Sequence, residues 1–194
     1  METLQLDLNK RYTYADYLTW FDDVRRELIG GFVKLMSPSA LRIHQKISVR
    51  LTYYLEQYFR KKSCELYHAP SDVRFVKNGE KDPKEIDTVV QPDLFVVCDL
   101  SKLDKYGCLG SPDFIIEIVS KGNSKHDVKT KYNLYESHGV REYWIVYPEE
   151  QTVHTFVLNK TGKYESAGMY AEDDKVKVNI FDDLYIDLAE VFED

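Results

Sequence analysis

Apolar residues recur with two different periods along this chain, and the periods predict its helices and strands. Helical spacing is clearest over residues 39–62, where apolar side chains return every three or four positions. A capping box at Thr13 and Asp16 predicts a short helix that ends near Phe21. A third helix is predicted over residues 124–138, because Gly139 is a typical C-terminal stop.

Short apolar runs bounded by turn residues predict the strands. Residues 26–29 and 32–36 flank Gly30-Gly31, which indicates a hairpin with a two-residue turn. Further strands are predicted at 65–68, 73–76, 89–98, 113–119, 142–147, 153–158, 163–166 and 176–180. A short helix is predicted to close the chain at 184–192. This order predicts a mixed sheet with helices packed against it, in a single domain over residues 1–194.

Composition is typical of a folded globular protein. Hydrophobic residues make up 43% of the 194 residues and charged residues 30%. No apolar run approaches the roughly 18 residues of a membrane helix, and the first ten residues lack the apolar core of a signal peptide. We therefore expect a cytoplasmic protein with no membrane contact.

Cysteine and histidine spacing argues against a zinc site. The three cysteines, Cys64, Cys98 and Cys108, include no closely spaced pair, and the five histidines are scattered. We expect all three cysteines to be reduced thiols.

The net charge of −7 does not favour a non-specific nucleic-acid binder. The acidic residues are concentrated after residue 165, however, and basic segments remain elsewhere. Arg42, Lys46 and Arg50 are spaced by four, so they form a stripe on the long helix that could follow a phosphate backbone. A solvated helix face is the alternative interpretation of that stripe.

Two apolar strands each carry a carboxylate where an apolar residue is expected. Asp93 follows Pro92, and Glu117 stands between Ile116 and Ile118. A charge buried in a strand is costly unless it is paired or bound to a cation. If the two strands are adjacent, the oxygens gather at the spacing that suits a hard divalent cation, Mg²⁺ above all. The alternative is that each acid is solvated or salt-bridged at a strand end.

Other charged residues are predicted to lie near this pair. Asp113 is four residues before Glu117 and so shares its sheet face. If the following helix folds back on the strand, Lys131 reaches a depth similar to that of Glu117, with Asp127 one turn away on the same helix face. An ordinary surface pair of Asp127 and Lys131 is the competing interpretation.

Taken together, these motifs resemble one known family. Gln91-Pro92-Asp93, the run from Pro112 to Ser120, and the segment from Asp127 through Lys131 to Trp144 look like the Uma family of "putative restriction endonucleases", within the PD-(D/E)xK nuclease superfamily. Upstream positions also match, among them Glu27 and His44. The resemblance extends over nearly the whole chain.

The resemblance implies an α/β (α+β) restriction-endonuclease-like fold, a three-layer core with a central mixed β-sheet flanked by helices. It implies Asp93 and Glu117 as ligands of Mg²⁺, with Mn²⁺ as a substitute. The superfamily lysine is expected two residues after the glutamate, where this chain has Val119. Lys131 matches the family's displaced catalytic lysine, and Lys129 and Lys121 are weaker substitutes.

The implied activity is Mg²⁺-dependent hydrolysis of DNA phosphodiester bonds by a homodimer, with two active sites for the two strands. Glu27, His44, Asp113 and Asp127 are candidates for the second shell or the rim of the site. Two other classes of function stay open: a nuclease fold that has lost catalysis and binds nucleic acid or protein, and a hydrolase of another phosphoester. Acidic net charge and Val119 keep the first of these alternatives open, whereas the presence of Asp93, Glu117 and Lys131 together favours an enzyme over a binder.

Overall fold

The computed structural model describes residues 4–36, 41–76, 79, 81–120 and 125–193. Four α-helices occur in the described residues, α1 Tyr14–Tyr17, α2 Arg42–Phe59, α3 Lys125–Ser137 and α4 Leu188–Phe192, together with a short 3₁₀ helix at Leu100–Lys102. The first eight strands are β1 Arg26–Ile29, β2 Phe32–Leu35, β3 Glu65–His68, β4 Asp72–Phe75, β5 Thr88–Val90, β6 Leu94–Val97, β7 Leu103–Asp104 and β8 Gly107–Leu109. The remaining strands are β9 Phe114–Ile118, β10 Glu142–Tyr147, β11 Thr152–Leu158, β12 Tyr164–Tyr170, β13 Lys175–Lys177 and β14 Tyr185–Asp187.

Two six-stranded mixed sheets organise the fold. The first has the order β2-β1-β5-β4-β8-β7 and the second the order β12-β11-β10-β9-β6-β3, while β13 and β14 form a small ribbon. Parallel pairing joins β10 to β9 and β4 to β8, and the other pairs are antiparallel. The predicted mixed α+β class is confirmed, although the strands are divided between two large sheets.

Hydrophobic side chains pack on both faces of the second sheet. On one face, Ile47 and Leu51 of α2 pack with Ile116 of β9 and with the C-terminal segment. On the other face, Tyr135 of α3 packs with Ile115 and with residues of the first sheet. The sheet is thus the central layer, because alternate side chains of β9 are buried against different neighbours.

Local sequence signals explain several boundaries. Gly30 and Gly31 have φ of 57° and 86°, the left-handed values that a two-residue hairpin turn requires. The capping box is present, since Asp16 accepts a hydrogen bond from the Thr13 backbone N–H and Thr13 caps Asp16 in return. Gly139, with φ 77°, ends the turn after α3. Ser124, the first residue of the predicted third helix, lies outside the described residues.

Three expectations about local structure are wrong. The predicted strand 89–98 is two strands in different sheets, because Pro92 has no N–H for a ladder and the chain crosses between the sheets there. The expected helix at 184–192 begins only at Leu188, after β14. Cys64 and Cys98 form a disulfide and only Cys108 is free, since antiparallel pairing of β3 with β6 brings together residues that are distant in sequence.

No helix among the residues described is long and apolar enough to cross a membrane.

Candidate active site

Strand pairing brings the carboxylates of Asp93 and Glu117 together. In the antiparallel pair β6–β9, Leu94 lies opposite Ile116, so the next position places Asp93 beside Glu117 at the end of both ladders. The backbone N–H of Ile118 donates to Asp93 Oδ2 at 2.8 Å, which fixes the Asp93 carboxylate at this edge. Both acids line the same cavity, of about 530 Å³.

Lys131 is buried between two carboxylates at the floor of this cavity. Its Nζ lies 2.9 Å from Glu117 Oε1 and 3.2 Å from Glu27 Oε1. One helical turn further along α3, the Tyr135 hydroxyl donates to the same Glu117 oxygen at 2.6 Å. The α3 helix therefore supplies both the cation and the phenol that hold Glu117 in one orientation.

Glu27 reaches this floor from the first sheet. It lies on β1, and its Oε1 also accepts the backbone N–H of Gln91 at 3.1 Å. Because Gln91 precedes Pro92 and Asp93, this contact ties β1 to the segment that carries Asp93. Glu27 thus links the two sheets at the point where the chain passes between them.

His44 of α2 completes the contacts of Asp93. Its Nε2 lies 3.2 Å from Asp93 Oδ1. The His44 side chain is buried, and its Nδ1 has no hydrogen-bond partner among the described residues. A histidine in contact with a carboxylate in this way fixes the orientation of the carboxylate, as residues that hydrogen-bond to metal ligands often do.

The protonation states follow from burial and from the neighbouring charges. Burial raises the pKa of Glu117 and Lys131 lowers it, while Asp93 and Glu27 raise it further, so the net shift is upward. Burial lowers the pKa of Lys131, but Glu117 and Glu27 outweigh burial and raise it above the ordinary value. Burial and the Glu117 charge raise the pKa of Tyr135, which stays a neutral donor. The floor therefore has several acids around one permanent cation.

A divalent cation fits this donor set. No cluster of three or more His, Cys, Asp or Glu side chains suited to a metal occurs in the part of the chain that the structure describes. Mg²⁺, however, is commonly held by one or two carboxylates together with water and substrate phosphate. Two buried carboxylates, Glu27 and Glu117, and the partly exposed Asp93 face one lysine and one histidine here. Additional positive charge would therefore be stabilised beside Asp93 and Glu117.

Other residues singled out in the sequence are placed differently. Asp127 lines the cavity, whereas Asp113 lies at the opposite end of β9, where it accepts from the Cys98 N–H and pairs with Arg141. Arg50 is tied to the C-terminus through the Val191 carbonyl. None of the three stripe residues Arg42, Lys46 and Arg50 lines the cavity, and Lys121 lies outside the described residues.

Tyr135, Arg25 and Lys34 are among the polar residues in or beside the cavity that were not predicted from the sequence. The spacing of Tyr135 from Lys131, one turn of the same helix, was an available signal. Arg25 and Lys34 carried no such signal, because they line the cavity only through the fold of the β1–β2 hairpin.

The two mixed sheets and their helices have a counterpart among solved structures. A solved structure described as "a putative nuclease belonging to DUF820 from Anabaena variabilis ATCC 29413" matches with a TM-score of 0.72 and 18% identity, over 93% of this chain and 97% of that one. At that identity the likeness shows a shared fold. The chain belongs to the Uma2 family, described as "Putative restriction endonuclease", whose family model matches residues 14–189. No curated protein matches the sequence.

Proposed function

We propose that the protein is a Mg²⁺-dependent endonuclease that hydrolyses DNA phosphodiester bonds. The observation that carries the proposal is the contact of Lys131 with Glu117, buried at a cavity floor next to Asp93. A lysine two residues after the glutamate would complete the usual superfamily motif, and Val119 cannot act in that way. Lys131 brings an ammonium group to the same carboxylate from the neighbouring helix.

Each residue has a distinct role in this proposal. Asp93 and Glu117 would hold the cation, which when bound supplies charge neutralisation at the phosphate and a water of lowered pKa. Lys131 would orient the attacking water or stabilise the negative charge that develops on the phosphate. Glu27 and Tyr135 act as positioning residues, since one contacts Lys131 and the other Glu117.

Removal of the metal gives the first test. Supercoiled plasmid incubated with the purified protein should be cleaved in Mg²⁺ or Mn²⁺ and should remain intact in EDTA, as read on an agarose gel. An Asp93→Ala variant prepared in parallel should leave the plasmid supercoiled and so excludes a contaminating nuclease. Binding of the plasmid without cleavage in either metal would instead support the inactive, nucleic-acid-binding alternative.

His44 is expected to influence metal affinity through Asp93. His44→Ala removes the Nε2 contact with Asp93 and should weaken Mn²⁺ binding by about tenfold, the lower range for losing such a supporting group. His44→Gln, whose amide can still donate to Asp93, should recover part of the affinity. Calorimetric titration with Mn²⁺ measures both variants, and equal affinity in wild type and His44→Ala would contradict the positioning role.

Cleavage of both DNA strands needs two active sites, so we propose a homodimer. Light scattering of the protein with a short duplex should report about twice the 22.8 kDa monomer mass, after the DNA contribution is subtracted. A monomer mass at micromolar concentration, with and without DNA, would remove the dimer from the proposal. Nicked plasmid as the final product would agree with that monomer.

A further inference from the structure

The cavity has opposite charges at its floor and at one wall. Glu27, Asp93 and Glu117 form an acidic floor, whereas Arg25 and Lys34 line the same cavity from the β1–β2 hairpin. Both cations are exposed, and Arg25 directly precedes β1. In a chain of net charge −7, such local cations decide where an anionic ligand can bind.

Neither of these cations forms an ion pair with another described residue. Most buried or half-buried arginines of the described chain pair with a carboxylate, as Arg26 does with Asp22 and Arg74 with Asp104. Arg25 and Lys34 have no carboxylate partner within ion-pair distance among the described residues. Their charge is therefore available to a ligand in the cavity.

The Arg25 guanidinium is oriented by hydrogen bonds to a neutral side chain, that of Gln91. Its Nε and Nη2 both donate to the Gln91 side-chain oxygen, at 3.3 Å and 3.0 Å. A guanidinium group has five N–H donors, so others remain after these two contacts. Because Gln91 also stands at the start of the segment with Asp93, the guanidinium is held beside the edge that carries the candidate metal ligands.

Strand register places Lys34 on the cavity side of the hairpin. Lys34 lies directly opposite Glu27 in the antiparallel β1–β2 pair, and opposed side chains share one sheet face with Cβ atoms about 5 Å apart. The Glu27 carboxylate points to Lys131 at the floor. The Lys34 side chain therefore starts from the same face and extends along the cavity wall to solvent.

We infer that Arg25 and Lys34 bind backbone phosphates of the DNA strand next to the bond that is cleaved, an inference that rests on the proposed nuclease function. The β1–β2 hairpin then forms the wall of the cavity that binds the DNA strand. The α2 stripe of Arg42, Lys46 and Arg50 does not have this role, because none of its residues lines the cavity and Arg50 is bound to the C-terminus. Because Arg25 and Lys34 line the same cavity as Asp93 and Glu117, a DNA strand bound along the hairpin would have a phosphate within that cavity.

Salt dependence of DNA binding tests this inference without any cleavage. The parent is the Glu117→Gln variant in EDTA, and fluorescence anisotropy of a labelled duplex gives the binding constant at several salt concentrations. Each phosphate contact contributes about 0.9 to the slope of log K against log salt concentration. Arg25→Ala and Lys34→Ala should each reduce that slope by about 1, and the double variant by about 2.

Two further variants distinguish DNA binding by the β1–β2 hairpin from DNA binding by the α2 stripe. Arg60→Ala removes an exposed cation just after α2, away from the cavity, and should leave the slope unchanged. Arg42→Ala reports on the α2 stripe and should also have no effect. The inference would be overturned if the slope were unchanged in both hairpin variants. It would also be overturned if Arg42→Ala reduced the slope as much as the hairpin variants do, or if the parent did not bind DNA at low salt.

The experiment distinguishes failure of this inference from failure of the nuclease proposal. The hairpin variants could reduce the slope as expected while wild type leaves plasmid intact in Mg²⁺ and Mn²⁺. In that case DNA binding by the β1–β2 hairpin is supported and the proposed catalysis is wrong. Circular dichroism melting of each variant ensures that folded proteins are compared, and the exposure of both side chains makes large losses of stability unexpected.

Discussion

Lys131→Ala is expected to lower the rate of DNA cleavage at least about 100-fold, the lower range for loss of one electrostatic stabiliser. The reason is the position of the ammonium group, 2.9 Å from Glu117 at the cavity floor. Mn²⁺ affinity should change little, because Lys131 is not one of the proposed metal ligands. Single-turnover cleavage and calorimetry measure the two effects separately.

A matched control is available on the same helix. Lys129 is exposed, and its side chain lies about 160° around the helix from that of Lys131. Lys129→Ala should therefore cleave at nearly the wild-type rate. If Lys129→Ala loses activity while Lys131→Ala cleaves normally, the displaced lysine has been assigned to the wrong position.

Loss of folding must be separated from loss of chemistry in Lys131→Ala. Removing one partner of a buried ion pair commonly costs about 3–5 kcal/mol, since the other charge stays buried without compensation. The variant should melt at a lower temperature, and cleavage must be measured where circular dichroism shows it to be folded. Normal cleavage by the folded variant would exclude Lys131 from the reaction.

Glu117→Gln is expected to lower cleavage by about 1000-fold or more, since loss of a metal contribution of about 4 kcal/mol corresponds to that factor. Mn²⁺ binding should weaken in parallel. The melting temperature of the metal-free protein should stay the same or rise. The amide oxygen can still accept from Tyr135 and Lys131, and repulsion from Asp93 and Glu27 is removed.

This combination of lost activity and retained stability is typical of a functional site whose charges oppose folding. Asp113→Asn is the matched control, because Asp113 adjoins the same strand about 13 Å away by strand rise and contacts Cys98 and Arg141 outside the cavity. It should retain cleavage. A large fall in melting temperature for Glu117→Gln would show that Glu117 is mainly structural.

Much of the candidate site could be predicted because its strongest signals are local. Glu117 interrupts an apolar run, and Lys131 and Tyr135 are one turn apart on a helix that follows directly. A short connection between a strand and a helix restricts how they can pack, so the depth estimated for Lys131 agrees with its observed contact with Glu117. Asp113 shows the limit of the same reasoning, since a shared sheet face did not bring it into the cavity.

Sequence alone determined the features that depend on neighbouring residues. The Gly30-Gly31 hairpin, the capping box at Thr13, the stop at Gly139 and the apolar face of α2 all follow from local conformational preferences and from periodicity. The family resemblance added the identities of Asp93, Glu117 and Lys131 as a related set.

Only the tertiary structure decided which distant segments meet. The crossing of the chain between two sheets at Pro92, the approach of Glu27 to Lys131 and the contact of His44 with Asp93 all join residues far apart in sequence. The same is true of Arg25 and Lys34. In the sequence they look like ordinary surface cations, and only the position of the hairpin in the fold shows that they line the cavity. Strand order and register arise from the packing of the whole core, and no local pattern in the chain encodes such long-range pairing.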